Sequence, residues 1–384
     1  MTVDPEVLKA AGAALGTPLL SPELLDSPNL VFRAEAEDFG TVIVKRITMT
    51  EWNRGGGSES EQLLNEWCVL EHLDGRGAPR LLAADRQASL IVLEDLGDRP
   101  TVEQALLDES TVDARAMLSA VGSSLAIVHG AGVGREREFL DLQQRRGTLS
   151  PRSDSTVDFR IERRELFEDA FDVLGVQVNK GFWDEVVRLE EAVHDGGLFR
   201  TLIHADAGPQ NFLVGDDMKM IDFEFGVYLN AMCDVGGARV GFPQTWDTRS
   251  VDPADAKLVE DAYRRVAVEF WPEAADDVFD EHLMFGAGHW ALNRLAGGWR
   301  SDLRDMVMGT SERKDGALRR SHYATLWTSF CDSVDESDAL GPVSTALRSA
   351  LSSLQNRFVD MVPLDPYPAL TNRIPLERGT HDNT

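Results

Sequence analysis

Four polar residues lie close together between positions 202 and 222 of the 384-residue chain. His204, Asp206 and Asn211 follow the pattern H-x-D-x-x-x-x-N, and Asp222 comes eleven residues after the asparagine, within I-D-F-E. A carboxylate can take the proton from an attacking hydroxyl, and amide and carboxylate oxygens are ligands that Mg²⁺ prefers. Phosphoryl transfer requires positioning and charge neutralisation from the protein, so this set of residues predicts that chemistry.

The residues around this set predict how it is held. Apolar runs of strand length cover 201–203, 212–214 and 218–221, and a Gly-Asp-Asp turn separates the last two runs. We therefore expect a loop to carry Asp206 and Asn211, and a β-hairpin to bring Asp222 back beside them.

Each of the four residues has an expected role in this arrangement. We assign Asp206 as the base that accepts the hydroxyl proton, and Asn211 and Asp222 as Mg²⁺ ligands. His204 is expected to brace the loop by hydrogen bonds. The alternative is that all four are ordinary turn-forming residues of a hairpin, as each would be if it stood alone. Their joint spacing between strand-like runs favours the catalytic interpretation.

The stretch resembles the catalytic and metal-binding loops of the aminoglycoside phosphotransferase and choline kinase-like family. The usual loop there is H-G-D-x-H-P-x-N, followed by I-D-(F/W)-(E/G). The matching positions here are His204, Asp206, Pro209 and Asn211. The chain departs from the pattern with Ala205 for the glycine and Gly208 for the second histidine. Neither departure removes a catalytic carboxylate or a metal ligand.

That family shares the protein-kinase fold but phosphorylates small molecules. The resemblance covers about residues 25–240 and implies a two-lobed α+β fold. A small β-rich N-lobe would occupy residues 1–97, and a larger helical C-lobe would occupy residues 98–384. The resemblance also implies ATP and Mg²⁺ as cofactors and a small-molecule hydroxyl as the acceptor.

Lys45 lies inside a β-rich apolar run, where a lysine is costly unless its ammonium reaches water or a partner. By the resemblance, Lys45 contacts the α- and β-phosphates of ATP, as the lysine of the third strand does in kinases. The alternative is an edge-strand lysine that reaches solvent.

A helix is predicted after this run, and its start is marked by the capping box of Ser58 and Glu61. Glu66 falls on the apolar face of that helix, where a carboxylate needs a cation. We expect Glu66 to pair with Lys45, although a solvated position at the edge of the face is the alternative. Glu59 is a rival partner by helix angle, but it lies in the first turn, where acids already favour the helix dipole.

A second apolar run, 89–93, ends in two acids and a glycine. It resembles the strand that enters the interlobe hinge in the family. There the backbone of Glu94, Asp95 and Leu96 would hydrogen-bond the adenine edge of the nucleotide. An ordinary strand-to-loop exit would look much the same. We place the lobe boundary near Gly97.

Helical patterns dominate from residue 101 onward. One helix is predicted over 114–129, with His129 structural and the glycine-rich stretch 130–134 as a stop signal. Residues 135–165 are predicted to be a charge-rich loop. Further helices are predicted at 164–175, 182–195, 253–268, 275–297, 316–335 and 341–359. By the resemblance, Asp234 anchors the catalytic loop.

Several aromatic and basic residues of the C-terminal half could line an acceptor pocket. They are Trp246, His289, Trp290, Arg294 and Trp299. Tryptophan and histidine at helical spacing are more often core residues, so this pattern indicates no particular acceptor.

The composition excludes several classes of protein. A hydrophobic content of 43% and a charged content of 27% are typical of a globular protein. The net charge of −27 argues against nucleic acid or an anionic membrane as partner, and weakly favours a cationic substrate. The three cysteines are widely spaced, so zinc and a disulfide framework are not expected. Without a signal peptide or an apolar run of membrane-spanning length, we expect a cytoplasmic protein.

These observations predict an ATP-dependent small-molecule kinase that acts on a hydroxyl of an antibiotic-like, amino-alcohol or sugar acceptor. An antibiotic acceptor would make it a resistance enzyme. A protein kinase is disfavoured, because the chain has no H-R-D loop and no D-F-G or A-P-E after the catalytic stretch. A catalytically silent nucleotide-binding or scaffold protein is the other alternative, although such a protein would typically have lost Asp206, Asn211 or Asp222. The acceptor, the preference between ATP and GTP and the oligomeric state are not predicted.

Overall fold

The computed structural model describes residues 3–27, 29–46, 59–110, 113–148, 164–195, 197–243, 249–296, 304–305, 307, 316–337 and 339–371. Ser58 of the predicted capping box lies outside these ranges.

The N-terminal part of the chain is a five-stranded antiparallel sheet flanked by two helices. The sheet has the order β1-β2-β3-β5-β4. Its elements are α1 (Pro5–Leu15), β1 (Leu19–Leu24), β2 (Leu30–Ala36), β3 (Gly40–Arg46), α2 (Glu59–Leu73), β4 (Leu81–Asp85) and β5 (Leu90–Glu94). The predicted hairpin is β2–β3, in which Val31 pairs with Lys45.

The alternation of side chains along β3 decides where Lys45 points. Val44 belongs to the apolar cluster that contains Val7 of α1. Ile43 packs instead against the cluster that contains Leu63 of α2. Because successive side chains of a strand face opposite sides, Lys45 shares the face of Ile43 and points toward α2.

The C-terminal part is mainly helical. Two short antiparallel pairs, β6 with β9 and β7 with β8, carry the predicted catalytic stretch. Its strands are β6 (Arg200–Ile203), β7 (Phe212–Leu213), β8 (Lys219–Met220) and β9 (Val227–Asn230). Its helices are α3 (Val102–Leu107), α4 (Ala114–Gly132), α5 (Glu136–Arg146), α6 (Arg164–Leu174), α7 (Lys180–His194), α8 (Met232–Arg239), α9 (Pro253–Ala267), α10 (Val278–Ala296), α11 (Gly316–Asp335), α12 (Gly341–Arg357) and α13 (Pro368–Thr371).

This arrangement confirms the predicted α+β fold with a small β-rich part followed by a larger helical part. The predicted helices are present with small shifts at their ends. Within the described residues, the sheet ends at Glu94 and the helices resume at Val102. A lobe boundary near Gly97 remains a prediction.

Two local predictions were wrong. Helix α4 continues past His129 to Gly132. Its glycines permit close packing instead of ending the helix, because a Cβ on Gly132 would lie 2.6 Å from Thr201 Oγ1. The stretch after residue 135 is not all loop, since α5 forms there. Phe139 and Leu142 are buried three residues apart, and Gly147 ends the helix in the left-handed region.

Glycines also let the C-terminal helices approach closely. A Cβ on Gly122 of α4 would lie 2.0 Å from the carbonyl oxygen of Val259 in α9. A Cβ on Gly286 of α10 would lie 1.8 Å from the carbonyl oxygen of Met232, at the start of α8. Real Cβ atoms are not found at such distances from backbone atoms, so any larger residue must push the helices apart.

Among the described residues, no single helix is long and apolar enough to cross a membrane, although the bent pair α4 and α5 would suffice together by length and composition alone.

The contact between α10 and α8 gives the first testable prediction. We expect Gly286→Ala to lower the free energy of unfolding by about 3 kcal/mol, because the methyl group cannot be accommodated without moving α8. Urea denaturation of the purified chain measures this change. Gly341→Ala is the matched control, because its Cβ would meet nothing within 4 Å. A Gly286→Ala variant as stable as Gly341→Ala would contradict the packing described here.

Candidate active site

The ammonium of Lys45 is surrounded by three carboxylates. Its Nζ lies 2.8 Å from Glu66 Oε2, 2.6 Å from Asp222 Oδ1 and 3.4 Å from Glu224 Oε2. The side chains of Lys45 and Glu66 are 4% and 2% exposed, whereas that of Asp222 is 41% exposed. The ion pair expected between Lys45 and Glu66 is therefore present, and the cluster opens to solvent at Asp222.

The charges of this cluster do not balance. Three carboxylates face one ammonium, so two negative charges are in excess when all four groups are ionised. Burial outweighs the Lys45 ammonium and raises the pKa of Glu66 to about 8, so Glu66 is partly protonated near neutral pH and the excess is then smaller. Burial alone would lower the pKa of Lys45, but Asp222, Glu224 and Glu66 outweigh it and raise that pKa well above its usual value. Burial would raise the pKa of Asp222, but the Lys45 ammonium outweighs this effect and holds that pKa below its usual value. The carboxyl group is therefore ionised at neutral pH.

The loop that carries His204 and Asp206 is anchored by the side chain of Asp234 on α8. Asp234 Oδ2 accepts a hydrogen bond from the backbone N–H of His204 at 2.6 Å, and its Oδ1 accepts one from Ala205 at 2.9 Å. His129 Nε2 lies 3.1 Å from the same carboxylate, and its Nδ1 lies 2.9 Å from the hydroxyl of Tyr263. These contacts agree with the structural role predicted for His129 and the anchoring role predicted for Asp234.

His204 braces the loop through both ring nitrogens. Its Nε2 lies 2.8 Å from the carbonyl oxygen of Ile221, and its Nδ1 lies 3.2 Å from the backbone N–H of Asp206. Burial lowers the pKa of His204, so the ring is neutral at pH 7. The two contacts then assign the proton to Nε2, because Nδ1 must accept from Asp206. The ring thus ties the loop to the strand that leads into Asp222.

Two residues of the site adopt a left-handed backbone conformation. Ala205 has φ +64° and Asp222 has φ +65°. Glycine is the residue that tolerates this conformation best, which gives a physical reason for a glycine between the histidine and the aspartate of such a loop. Here an alanine is held in that conformation by the bonds from its own N–H and its neighbour's to Asp234.

Asp206, Asn211 and Asp222 converge as the sequence predicted. Asn211 Nδ2 donates to the carbonyl oxygen of Asp206 at 2.8 Å and lies 3.3 Å from its Oδ2. The hairpin of β7 and β8 then brings the chain back, with the N–H of Ile221 donating to the carbonyl oxygen of Asn211 at 3.0 Å. Asp222 follows directly.

The same residues fit a divalent cation. The amide nitrogen of Asn211 faces Asp206, which turns its side-chain oxygen away from that carbonyl. The oxygen atoms of Glu66, Asp222 and Glu224 that lie within 4.8 Å of one another already surround the Lys45 ammonium, so a metal ion would use the solvent-exposed side of Asp222. Hard oxygen ligands and an excess of negative charge are what Mg²⁺ requires. Asn211 and Asp222 would hold the ion.

The segment predicted to contact adenine is held by an arginine that no sequence pattern indicated. Arg33 of β2 bonds Asp95 through Nε at 2.6 Å and Asp98 through Nη1 at 2.6 Å. Asp95 is 4% exposed, so its side chain is committed to this pair, and its predicted contact with nucleotide can involve only the backbone. The side chain of Glu94 contacts Arg80 at 3.4 Å. Leu96 lies between Asp95 and Asp98, which are both bonded by Arg33.

The candidate residues for an acceptor pocket divide into two groups. His289 and Trp290 are buried, and Trp290 Nε1 donates to the carbonyl oxygen of Cys233 at 2.6 Å, so Trp290 is a core residue. Trp246, Trp299 and the side chain of Arg294 lie outside the described residues, as does the side chain of Glu59.

Two cavities in the helical part lie apart from this site. One has a volume of about 550 Å³ and is lined by residues that include Arg188, Arg239 and Glu336. The other, of about 600 Å³, is lined by residues that include Gln177 and Arg348. Their lining residues include none of the residues assigned to the site above.

Comparison of the sequence with known protein families identifies the family of this chain. The sequence matches the phosphotransferase enzyme family (APH) over residues 25–283, which is more than half of the chain. This match confirms the resemblance inferred from the two loops. No curated protein is detectably similar in sequence.

Solved structures show weaker likenesses. The macrolide 2′-phosphotransferase MphH from Brachybacterium faecium is 16% identical, with 80% of this chain and 99% of that chain covered and a TM-score of 0.44. The APH(2″)-IIa complex with streptomycin and ATP is 13% identical, with 82% and 96% covered and a TM-score of 0.46. A choline/ethanolamine kinase family protein from Mesorhizobium loti is 16% identical, with 82% and 94% covered and a TM-score of 0.37. Likeness at this level carries no inference about the acceptor.

The strained alanine gives the second prediction. We expect Ala205→Gly to raise the free energy of unfolding by about 1 kcal/mol, because glycine removes the strain at φ +64°. Ala207→Gly is the matched control in the same loop. Ala207 is fully buried and has no positive φ, so its replacement should lower stability by about 1 kcal/mol. Urea denaturation measures both. A less stable Ala205→Gly variant would show that the methyl group of Ala205 contributes more than its backbone costs.

Proposed function

This chain belongs to the phosphotransferase enzyme family, and we propose that it transfers the γ-phosphoryl group of ATP to a hydroxyl of a small molecule. The observation that carries the proposal is the placement of the Lys45 ammonium between Glu66 and Asp222, beside a loop that holds Asp206 and Asn211 together. A scaffold protein would have no need to keep all of these groups in register.

In the proposed reaction, nucleotide binds between the sheet and the catalytic loop. Lys45, which Glu66 holds in place, contacts the α- and β-phosphates. The backbone of Glu94, Asp95 and Leu96 hydrogen-bonds the adenine. Asn211 and Asp222 would hold Mg²⁺, which would supply positive charge to neutralise the phosphates of the nucleotide. The two lobes would be residues 1–97 and 98–384, with this cleft between them.

The transfer itself depends on Asp206. The acceptor oxygen attacks the γ-phosphorus in line with the leaving ADP, and Asp206 takes the proton from that hydroxyl as the new bond forms. Asn211 fixes the carboxylate through its bond to Oδ2 at 3.3 Å, and the bond from the N–H of Asp206 to His204 fixes the backbone. His204 therefore acts by positioning Asp206 and not as an acid or base, because both of its ring nitrogens are engaged by backbone groups.

The acceptor class that this account favours is an antibiotic-like molecule, an amino-alcohol or a sugar. A net charge of −27 would steer amine-bearing acceptors toward the protein more than anionic ones. If the acceptor is an antibiotic, the enzyme would confer resistance from the cytoplasm, where ATP is available.

A coupled assay of ADP release tests the proposal. Mg²⁺-ATP is offered with a panel of aminoglycosides, macrolides, nucleoside and peptide antibiotics, choline, ethanolamine, homoserine and free sugars. We expect turnover with at least one acceptor, and a loss of about 10³-fold or more in kcat for Asp206→Ala, because the base is gone while the ligand-binding groups remain.

Asp222→Ala is the comparison variant for this assay. Asp222→Ala should lose turnover as well, and it should also lose the increase in nucleotide affinity that Mg²⁺ confers. Asp206→Ala should keep that increase. Calorimetric titration with ADP separates the two variants. Turnover retained in Asp206→Ala would refute the assignment of the base, and nucleotide binding indifferent to Mg²⁺ in the wild type would refute the metal site.

A further inference from the structure

Asn65 is a buried amide whose hydrogen bonds all go to other parts of the chain. It is fully buried on α2, one residue before Glu66. Its Nδ2 donates to the carbonyl oxygens of Glu224 and Gly226, both at 3.0 Å. Its Oδ1 accepts from Nε2 of Gln143 at 2.9 Å. Both N–H donors of the amide are therefore used on the segment that follows Asp222.

That segment is a tight turn. The N–H of Gly226 donates to the carbonyl oxygen of Phe223 at 3.0 Å, which closes residues 223–226. Asp222 precedes the turn in the left-handed conformation, at φ +65°. A residue other than glycine keeps that conformation only where its surroundings hold it. The two bonds from Asn65 fix the far side of the turn and so supply part of that restraint.

Gln143 settles which way the amide of Asn65 faces. The carboxamide oxygen and nitrogen of an asparagine are told apart by their partners. Gln143 offers a side-chain N–H from α5, and the turn offers two carbonyl oxygens. If the amide of Asn65 were flipped by 180°, its NH₂ group would face the N–H of Gln143, and its oxygen would face the carbonyl oxygens of Glu224 and Gly226. The orientation of Asn65 is thereby set from two sides.

We propose that Asn65 is a positioning residue that couples helix α2 to the turn after Asp222, and so holds the metal-binding carboxylate in register with the Lys45–Glu66 pair. This inference rests on the proposed function and extends it to a residue that touches neither nucleotide nor acceptor. Adjacent residues of one helix thus serve two parts of the site. Glu66 holds the ammonium, and Asn65 holds the backbone that carries Asp222 and Glu224.

A role in positioning predicts a specific change in metal dependence. Without the two donors, the turn can relax and Asp222 can leave the left-handed conformation. The geometry at the metal would then be lost, while the contacts of Lys45 with phosphate would remain. Nucleotide should still bind, but Mg²⁺ should no longer strengthen its binding as it does in the wild type.

Asn230 provides a matched control. It is also a buried asparagine, and its Nδ2 contacts the carbonyl oxygen of Ala192 at 3.0 Å and Nδ1 of His282 at 2.7 Å. Its Oδ1 accepts from the N–H of Met232 at 2.9 Å. Both asparagines thus make three contacts through the amide, but those of Asn230 lie at the end of β9 and not at the turn after Asp222. Replacing either by alanine should lower the melting temperature.

The experiment is calorimetric titration of the full chain with ADP, with and without Mg²⁺, for the wild type, Asn65→Ala and Asn230→Ala. We expect the gain in ADP affinity from Mg²⁺ to fall at least tenfold in Asn65→Ala and to stay within twofold of wild type in Asn230→Ala. The affinity for ADP without Mg²⁺ should stay within twofold in both. In the transfer assay, Asn65→Ala should lower kcat and need more Mg²⁺ for half-maximal rate.

Two results would overturn the inference. An Asn65→Ala variant with the wild-type gain from Mg²⁺ would show that Asn65 only stabilises the fold, and the proposed function would stand. A wild-type chain whose ADP binding does not respond to Mg²⁺ would overturn the proposed metal site and this inference together. If Asn65→Ala does not fold, Asn65→Ser, which keeps one donor, is measured instead. We then expect the gain in ADP affinity from Mg²⁺ to fall at least threefold. An unchanged gain in Asn65→Ser would count against the inference.

Discussion

One buried ammonium surrounded by carboxylates organises this protein. Lys45 is 4% exposed and takes its three partners from two distant parts of the sequence. An ammonium is expensive to bury, and so is a carboxylate such as Glu66, so neither is tolerable without the other. The sheet, helix α2 and the turn after β8 must therefore assemble together. The excess of negative charge that remains is directed to the solvent side, at Asp222, where a cation and a charged ligand can arrive.

A second buried carboxylate, that of Asp234, holds the loop of His204 and Asp206 in place. Asp234 holds the N–H groups of His204 and Ala205, and His129 contacts its other side. Because α8 carries Asp234 and packs closely against α10, the loop is tied to the helical core. Asp206, the proposed base, and Asp222, the proposed metal ligand, are thus held by different contacts. His204 joins the two sets of contacts through its bond to the carbonyl oxygen of Ile221.

The parts of this site that could be predicted from the sequence are those carried by local patterns. The spacing of the loop and hairpin predicted that Asp206, Asn211 and Asp222 converge, and strand alternation places Lys45 on the face toward Glu66. The sequence did not indicate Asn65 or Arg33, because their partners lie 159 and 62 residues away and follow no periodic pattern. Strands β1 and β9 were missed as well. The end of α4 was misjudged because close packing against β6 overrides the glycine signal.

The acceptor could not be predicted for a different reason. The residues proposed for catalysis would act on the phosphoryl group and the hydroxyl, and every acceptor of this chemistry has such a hydroxyl. Selection between acceptors depends on side chains of the helical part that the reaction itself does not constrain. Net charge narrows the choice only through long-range attraction, which salt screens within about 10 Å.

The stability of Lys45→Met with and without Mg²⁺ tests the central claim most directly. Methionine keeps all but the last atom of the lysine side chain's length and removes the charge, so Glu66 is left buried without its cation. At pH 8 and without Mg²⁺, the account predicts a loss of about 3 kcal/mol in the free energy of unfolding. Millimolar Mg²⁺ should recover part of that loss in Lys45→Met and change the wild type less, because the ion then supplies the missing charge. A Lys45→Met variant as stable as the wild type and indifferent to Mg²⁺ would contradict the claim that this ammonium holds the site together.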